Sequence, residues 1–358
     1  MFLNRSFFVY ICPMKGNTTM AKNVIAVGRP CKVIKQKERT IKMNYKYTFT
    51  IFTPVFNRKD TLHRVWESLN AQTYTDFEWI VVDDASTDNV KPLIARYQRE
   101  AHFSMKVHYH EHNKGKHFAW NYAINEAQGK FFVPADADDS FDSETLEKFY
   151  MNWNSIPEQE QGRYSGINVL CKEVDTGKII GTPFPNDPFV SDNLELHFRV
   201  KVKGEKWGMI RTEVLREFPL PEIATKCGYY PESYIWFSLA KKGYKVLCVN
   251  DALRYYFTDT GNSVLSQHRK NPIKSSGVVC HYTAWHLNNN LGYMFSSMAF
   301  KEVAKSYISL IRNGLLIGFS IRKQLKSLTG FINRTLFIGA IIPGILMYYI
   351  TYGKFKSK

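Results

Sequence analysis

Five carboxylates stand in one short stretch that begins with an apolar run. The stretch reads FFVPADADDSFDSETL at residues 131–146, and its acids are Asp136, Asp138, Asp139, Asp142 and Glu144. Carboxylates this close raise one another's pKa, so positive charge or solvation has to offset their repulsion. A divalent cation, the N-terminus of a following helix and water are the three candidates.

Asp136 and Asp138 are separated by one residue, which allows both carboxylates to converge on one point where a strand end bends. Hard cations such as Mg²⁺ and Mn²⁺ prefer oxygen ligands, a few from the protein and the rest from phosphate and water. Such a cation also reverses the local pKa penalty. A structural alternative is that Asp139, Ser140 and Asp142 cap the next helix and satisfy its free amides.

The segment DADDS is also similar to the D-x-D-x-[ST] motif of haloacid-dehalogenase-type phosphatases. In that family the motif normally closes the first strand of the fold. Here three predicted strands precede it, so the phosphatase is the weaker alternative.

The elements around this stretch alternate between strands and helices from Tyr47 onward. Apolar runs predict strands at YTFTIFTP, WIVVDD, MKVHYH and KFFVPAD, and helical periodicity separates them at 62–69, 90–97 and 119–123. This alternation implies an α/β fold with a parallel, doubly wound sheet. Ligands of such sheets bind at the carboxyl ends of the strands. The polar clusters TPVFNR, DDASTD and DADD follow three of these strands, which predicts a site at that edge.

Composition indicates a globular chain with basic ends. The 358 residues are 44% hydrophobic and 22% charged, with a formal net charge of +16. Residues 1–47 carry ten Lys and Arg against one acid, and residues 301–358 also carry ten against one. The middle is close to neutral, which argues against a nucleic-acid-binding face there and for contact of an end with an anionic surface.

Cysteine usage and the N-terminus add two expectations. The six cysteines contain no C-x-x-C pair, which fits neither a zinc site nor a disulfide framework and suits a reducing compartment. The N-terminal apolar stretch MFLNRSFFVYIC ends at Pro13 without a clear cleavage site for a signal peptide. We expect residues 1–46 to be an extension with little order.

Four motifs together resemble a known family. TPVFNR, VVDDASTD, NKGKHFAWNYAINEAQGKFFVPADADD and PESYIWFSLAKKGYKV are similar, in order and spacing, to motifs of the inverting family 2 glycosyltransferases. The resemblance implies a glycosyltransferase A-type fold and transfer of a sugar from a nucleotide diphosphate donor, most often UDP. It also implies a catalytic domain at 47–265, with a nucleotide-sugar-binding half at 47–155 and an acceptor half at 156–265.

The resemblance assigns donor-binding roles to several residues. Pro54 and Phe56 would flank the base, Asp84 would accept a hydrogen bond from uracil, and Asp83 would help to hold that loop. Asn113, Lys114 and Gly115 match a loop that closes over the donor. The family often has an Arg in this region where the chain has Trp120. Lys114 and Lys116 would meet phosphate or form a solvated basic turn.

The resemblance also implies a metal and a base. Asp138 would be the main ligand of Mn²⁺ or Mg²⁺, Asp136 would lie near the ribose and the metal, and Asp259 would complete the metal shell or be a turn residue. Glu232 stands four residues before Trp236, where the family places its catalytic base, although Pro231 replaces the preceding acid. The alternative for Glu232 is a helix N-terminus favoured by the dipole.

Further residues have open assignments. Trp236 is expected on the acceptor side, and Trp207 in an acceptor groove or in the core. His110, His112 and His117 lack the spacing of a zinc site and suit a solvated strand end.

The C-terminal region, after a connecting segment at 266–300, is predicted to be a helical basic tail at 301–358. Residues 335–353 carry no charge but are short for a membrane span and basic on both flanks. We therefore expect an interfacial anchor on anionic lipid, with a single span or a helical cap as alternatives. The expected protein is a cell-surface polysaccharide enzyme at the cytoplasmic face of a bacterial membrane, with a glycan or lipid-linked acceptor. A silent sugar-nucleotide- or lipid-binding protein of the same fold is the rival.

Overall fold

The computed structural model describes residues 44–221, 223, 230–257 and 272–356. The predicted N-terminal extension lies outside these residues, except for its last three positions. Residues from Tyr45 onward belong to one compact unit.

The first half of the chain forms the predicted parallel sheet. Its elements are β1 (Tyr47–Val55), α1 (His63–Asn70), β2 (Phe77–Asp83), α2 (Lys91–Glu100), β3 (Ser104–Tyr109), α3 (Lys116–Glu126) and β4 (Gly129–Pro134). The strands pair in parallel in the order β3-β2-β1-β4. All seven residues of β2 are buried, as expected for a strand covered on both faces.

The second half of the chain extends the same sheet with mixed pairing. Its elements are β5 (Ser140–Phe141), α4 (Thr145–Asn154), α5 (Glu158–Gln161), β6 (Tyr164–Glu173), β7 (Phe189–Ser191), α6 (Asn193–Glu195) with a π-helical turn (Leu196–Val200), β8 (Lys206–Arg211), α7 (Thr212–Arg216), α8 (Ser233–Lys242) and β9 (Lys245–Tyr256). The strand order continues β4-β8-β6-β9-β5, and β7 also pairs with β9. Only β6 and β9 are parallel here, so the sheet as a whole is mixed.

Side chains alternate between two apolar layers, one on each face of the sheet. Phe131 and Val133 of β4 belong to one core cluster, whereas Phe132 belongs to the other. Trp79 and Ile80 of β2 divide in the same way. This period of two fixes the strand register, and therefore fixes which loops meet at the carboxyl edge.

The C-terminal region is helical. It consists of α9 (Pro272–Ser296), α10 (Phe300–Leu316), α11 (Ile321–Lys326), α12 (Phe331–Gly339) and α13 (Ile341–Lys356). A third core cluster joins Phe237 of α8 to Leu287, Leu310 and Phe337 of these helices. The predicted helical C-terminal region is confirmed.

Membrane-spanning potential is limited in the residues that the structure describes. No single helix among them is long and apolar enough to span a bilayer, but α12 and α13 meet the criterion as a pair, bent by 54°.

Candidate active site

The loops after β1, β2 and β4 lie side by side, as the sequence predicts. Val55 pairs with Asp83, and Phe52 pairs with Pro134, so the three strands end at the same edge. Asn57 Oδ1 accepts a hydrogen bond from the backbone N–H of Thr87 (2.8 Å), which joins the first two loops. Predicted donor-site residues Pro54 and Phe56 lie at this edge, half-buried and 45% exposed respectively.

Asp84 is buried and holds the donor-loop backbone in place. Its carboxylate accepts hydrogen bonds from His110 Nδ1 (2.7 Å) and from the backbone N–H groups of Lys114 (2.8 Å) and Gly115 (2.7 Å). Gly115 has a φ of +87°, a conformation that favours glycine at the start of α3. Groups of the chain itself contact both oxygens of Asp84 and would compete with uracil, and the expected uracil contact stays a prediction. His110 is corrected, from a solvated strand end to a buried partner of Asp84.

Asp83, unlike Asp84, has a carboxylate oxygen that accepts no hydrogen bond from the described residues. Its Oδ1 accepts a hydrogen bond from the backbone N–H of Ser86 (3.1 Å), which is the expected loop-holding contact. Its Oδ2 is buried and has no hydrogen-bond partner among the described residues. A buried carboxylate oxygen without a partner is costly, so it is suited to accept a donor from a ligand.

The two acids of the D-x-D pair lie among three cations. Asp136 Oδ1 lies 2.8 Å from Lys116 Nζ, and its Oδ2 lies 3.5 Å from Arg254 Nη2. Asp138 Oδ2 lies 3.4 Å from Arg58 Nη2. These three basic side chains therefore offset part of the repulsion among the clustered carboxylates.

The electrostatics of these two acids differ. Burial alone would raise the pKa of Asp136, but the charges of Lys116 and Arg254 outweigh it and hold that pKa below its ordinary value. Burial, and next the charge of Asp136, raise the pKa of Asp138. Asp138 therefore gains most from an additional positive charge.

Asp139 belongs to a buried ion cluster and does not cap a helix. Arg254 Nε donates to Asp139 Oδ2 (2.8 Å), Arg254 Nη2 contacts the same oxygen, and Arg254 Nη1 donates to Glu205 (2.9 Å). Burial raises the pKa of Asp139, and Arg254 opposes that effect. Asp142 makes the local contact expected near a helix start, since its Oδ1 accepts from the backbone N–H of Glu144 (3.1 Å). Sequence reasoning did not single out Arg254, because β9 also carries Lys245, Asn250 and Asp251 and its sequence does not show which of these residues is buried.

The structure brings Glu232 to the D-x-D pair. Glu232 directly precedes α8, and its Oε1 lies 3.2 Å from the same Lys116 Nζ that contacts Asp136. Its side chain is 39% exposed and makes no hydrogen bond that caps the helix. The site thus places a partly exposed carboxylate opposite the acids after β4, as a base and a leaving-group site require.

Two tryptophans have different environments. Trp207 is 4% exposed, packs in the core against Phe141 and Phe149, and donates through Nε1 to the carbonyl oxygen of Pro134 (2.5 Å). Its expected position in an acceptor groove is therefore corrected to the core alternative. Trp236 is half-buried on α8 beside Glu232, so its acceptor assignment stays a prediction.

Other predicted residues of the site have simpler outcomes. Asn113 and Lys114 are exposed in the donor loop, and Asp259 lies outside the described residues. Trp120, at the position where an Arg was noted, is 2% exposed and packs edge-on against Phe52 and Phe132.

The side chains of the site can be compared with the ligands that a metal ion requires. No group of three or more His, Cys, Asp or Glu side chains is arranged to hold one within the part of the chain described. Asp136 and Asp138 still have partly exposed side chains, 32% and 23% exposed. A small hard cation takes one or two protein carboxylates and completes its shell with phosphate and water, so this pair fits Mg²⁺ or Mn²⁺ bound together with a nucleotide.

Comparison with known proteins identifies the family. The model described as "Glycosyl transferase family 2" matches residues 50–217, which include most of β1, all of β2 to β4 and the D-x-D pair. Residues 50–217 of the chain therefore form a glycosyltransferase family 2 domain. Glu232 and Arg254 lie beyond the matched range, so their place in the site is known from the structure alone.

One relative of this chain is named for teichuronic acid biosynthesis. The "Putative teichuronic acid biosynthesis glycosyltransferase TuaG" of Bacillus subtilis (strain 168) is 26% identical over 274 residues, 74% of this chain and 98% of TuaG.

Two solved structures share its fold. S. aureus TarS 1–349 in complex with UDP-GlcNAc matches with a TM-score of 0.50 at 18% identity, over 86% of this chain and 92% of that one. The mannosyltransferase PcManGT from Pyrobaculum calidifontis, in complex with GDP-Man and Mn²⁺, matches with a TM-score of 0.50 at 16% identity, over 87% and 85%. The predicted glycosyltransferase A-type fold is confirmed.

Proposed function

We propose that this protein is a metal-dependent, inverting glycosyltransferase that moves a sugar from a UDP-sugar to a glycan or lipid-linked acceptor in cell-surface polysaccharide synthesis. The observation that carries the proposal is the position of Glu232. One ammonium group, that of Lys116, contacts both Glu232 (3.2 Å) and Asp136 (2.8 Å). A candidate base and a candidate diphosphate site therefore face each other. The UDP-GlcNAc complex of TarS supports the donor class, and the assignment of TuaG to teichuronic acid biosynthesis supports a role in polysaccharide synthesis.

Residues at the carboxyl ends of β1 and β2, and in the loops after β1, β2 and β3, bind the nucleotide donor. Pro54 and Phe56 flank the base, and the unpartnered Oδ2 of Asp83 accepts the hydrogen bond from the uracil ring. Asp84 acts indirectly, because it fixes the backbone of Lys114 and Gly115. Asn113 and Lys114 lie exposed on the same loop, where they can close over the nucleotide.

The leaving group is handled at the D-x-D pair. Asp138 and Asp136 would hold the divalent cation, which would supply Lewis-acid stabilisation of the departing diphosphate. The raised pKa of Asp138 indicates a carboxylate whose ionised form a further positive charge would stabilise. Mn²⁺ in the PcManGT complex supports the choice of cation.

Glu232 removes the proton from the acceptor hydroxyl. Its partly exposed carboxylate at the start of α8 can meet a hydroxyl that arrives from solvent. Because base and leaving group lie on opposite sides of the reacting carbon, the attack inverts the anomeric centre. We assign Trp236, one helical turn further along α8, to the acceptor side.

A coupled assay tests this function. The purified protein is incubated with UDP-sugars, Mn²⁺ or EDTA and cell-wall glycan acceptors, and released UDP and glycosylated product are measured by mass spectrometry. We expect UDP release with Mn²⁺, little with EDTA, and an inverted linkage by NMR. Binding of UDP-sugars without any turnover would indicate the silent binding protein. Phosphate release from simple phosphomonoesters without sugar transfer would indicate the phosphatase.

We further propose that α12 and α13 attach the enzyme to an anionic lipid bilayer at the cytoplasmic face of the membrane. Apolar side chains of α13 are exposed at helical spacing: Ile342 (74%), Leu346 (58%), Tyr349 (64%) and Ile350 (52%). The exposed Phe331 (85%) of α12 adds to them. Residues 301–358 carry ten basic residues and one acid, which favours anionic lipid as the partner of this face.

Vesicle flotation tests the attachment. The double variant Ile342→Glu/Leu346→Glu should float less with phosphatidylglycerol vesicles than the wild type, while Met151→Glu, at a 63% exposed position on α4, should not change flotation. Equal flotation of all three proteins would contradict the attachment. Truncation after residue 300 is a poor test, because α10 and α12 contribute to the core cluster that includes Phe237.

A further inference from the structure

Lys116 occupies the centre of the candidate active site. It is the first residue of α3, directly after Gly115, and its side chain is 26% exposed. Its Nζ lies 2.8 Å from Asp136 Oδ1 and 3.2 Å from Glu232 Oε1. The two carboxylate oxygens are therefore at most 6.0 Å apart, the sum of these two contacts.

This spacing is too small for the substrates. A base lies about 2.6–3.2 Å from the hydroxyl oxygen that it deprotonates. That oxygen in turn lies about 3–3.5 Å from the carbon that it attacks. These two distances alone account for about 6 Å, before any part of the diphosphate is placed beside Asp136. Lys116 must therefore release one of its two carboxylates when the substrates bind.

The charge balance indicates which contact Lys116 makes next. A nucleotide diphosphate adds negative charge to a site that already holds Asp136, Asp138 and Glu232. Of the cations that contact these acids in the described structure, Arg254 is 8% exposed and committed to Asp139 and Glu205. Arg58 contacts Asp138, whereas Lys116 contacts the candidate base Glu232. Lys116 has a flexible stem and a compact charge, which binds phosphate without the fixed geometry of a guanidinium.

We infer that Lys116 binds the diphosphate of the nucleotide donor and gives up its contact with Glu232 in doing so, which frees that carboxylate for the acceptor. The inference rests on the proposed glycosyl-transfer function. In the substrate-free protein Lys116 neutralises two carboxylates, and in the donor complex it neutralises the leaving group.

Calorimetry with UDP and with uridine tests this role, because uridine lacks the diphosphate. The proteins are the wild type, Lys116→Met, Lys116→Arg and the control Lys242→Met, which removes the same charge at the other end of α8. All titrations contain Mn²⁺. We expect Lys116→Met to bind UDP about ten- to a hundredfold more weakly, as for a lost hydrogen bond to a charged group. Its uridine affinity, and both affinities of Lys242→Met, should match the wild type.

The other outcomes separate the hypotheses. Lys116→Arg should retain most of the UDP affinity, because it keeps the charge. Wild-type UDP affinity in Lys116→Met would overturn the inference, and so would equal losses for UDP and uridine, which indicate a structural role. A wild-type protein that binds neither UDP nor uridine would overturn the proposed donor, and the inference with it.

Discussion

Arg254 and Asp139 form a buried ion pair in which two guanidinium nitrogens contact one carboxylate oxygen, with Nε at 2.8 Å. Their side chains are 8% and 6% exposed. The pair joins β9 to the loop after β4 and lies directly beside Asp136. It therefore holds the loop that carries the D-x-D pair against β9 while leaving Asp138 accessible.

Removal of Arg254 should destabilise the protein strongly. In Arg254→Met the carboxylate of Asp139 is left buried without its partner, and loss of one member of such a pair costs about 3–5 kcal/mol. Urea denaturation measures this loss. Asp139→Asn in the same chain should recover part of it, because the buried charge is then absent. The matched control is Arg96→Met, whose exposed pair with Glu100 should contribute about 0–1 kcal/mol. Equal stability of Arg254→Met and Arg96→Met would contradict the assigned burial cost.

Asp138→Ala should abolish the dependence of UDP binding on metal. The variant removes the carboxylate that contacts only Arg58 among the described basic side chains and that gains most from a cation. We expect wild-type UDP affinity to fall when EDTA replaces Mn²⁺, and the affinity of the variant to be equally low in both. Calorimetry with each additive makes the comparison. If the variant binds UDP as tightly as the wild type and responds to Mn²⁺ in the same way, Asp138 is not a ligand.

Features that depend on residues close together in the sequence could be predicted, whereas contacts between residues far apart in the sequence could not. The strands β1 to β4 and their helices are predictable because local periodicity determines them, and this part of the fold is confirmed. The positions of Pro54 and Asp83 at strand ends, and of Asp136 in the loop after β4, follow from the same reasoning.

Contacts between distant segments were not predictable in this way. Arg254 meets Asp139 across 115 positions, and no local pattern pairs them. The neighbouring acids Asp83 and Asp84 look alike in the sequence, and only the folded chain brings His110 and the backbone of Lys114 and Gly115 to Asp84. The local sequence around Trp207 does not show whether the side chain lies in a groove or in the core. Its place in the core depends on packing against Phe141 and Phe149, which are distant in the sequence.

Stability should decrease at mildly acidic pH because of His286. This side chain is 7% exposed and lies against Phe198, Phe237 and Tyr282, and burial lowers its pKa to about 4 from 6.5. His286 therefore binds a proton below about pH 6.5 in the unfolded chain, but only below about pH 4 in the folded chain. The free energy of unfolding should be fully retained above pH 6.5 and fall by up to about 3 kcal/mol towards pH 4.

Urea denaturation at several pH values between 4 and 8 measures this contribution. His286→Gln keeps a polar group next to Asn290 Nδ2 but does not titrate in this range. Its free energy of unfolding should therefore depend less on pH than that of the wild type. Parallel pH curves for the two proteins would rule out His286 as the source.

Glu232→Gln should separate chemistry from binding. Gln has nearly the same volume and reach as Glu but cannot accept the proton of the acceptor hydroxyl. A general base contributes about 10²–10⁴-fold in rate, so turnover should fall by that order while UDP-sugar affinity stays near the wild type. A transfer assay and calorimetry on the same preparation measure both quantities. The control is Glu217→Gln, whose exposed carboxylate pairs with Lys242 away from the site and should leave both unchanged. Equal losses of binding and turnover in Glu232→Gln would assign Glu232 a structural role at the start of α8, and undiminished turnover would require another carboxylate as the base.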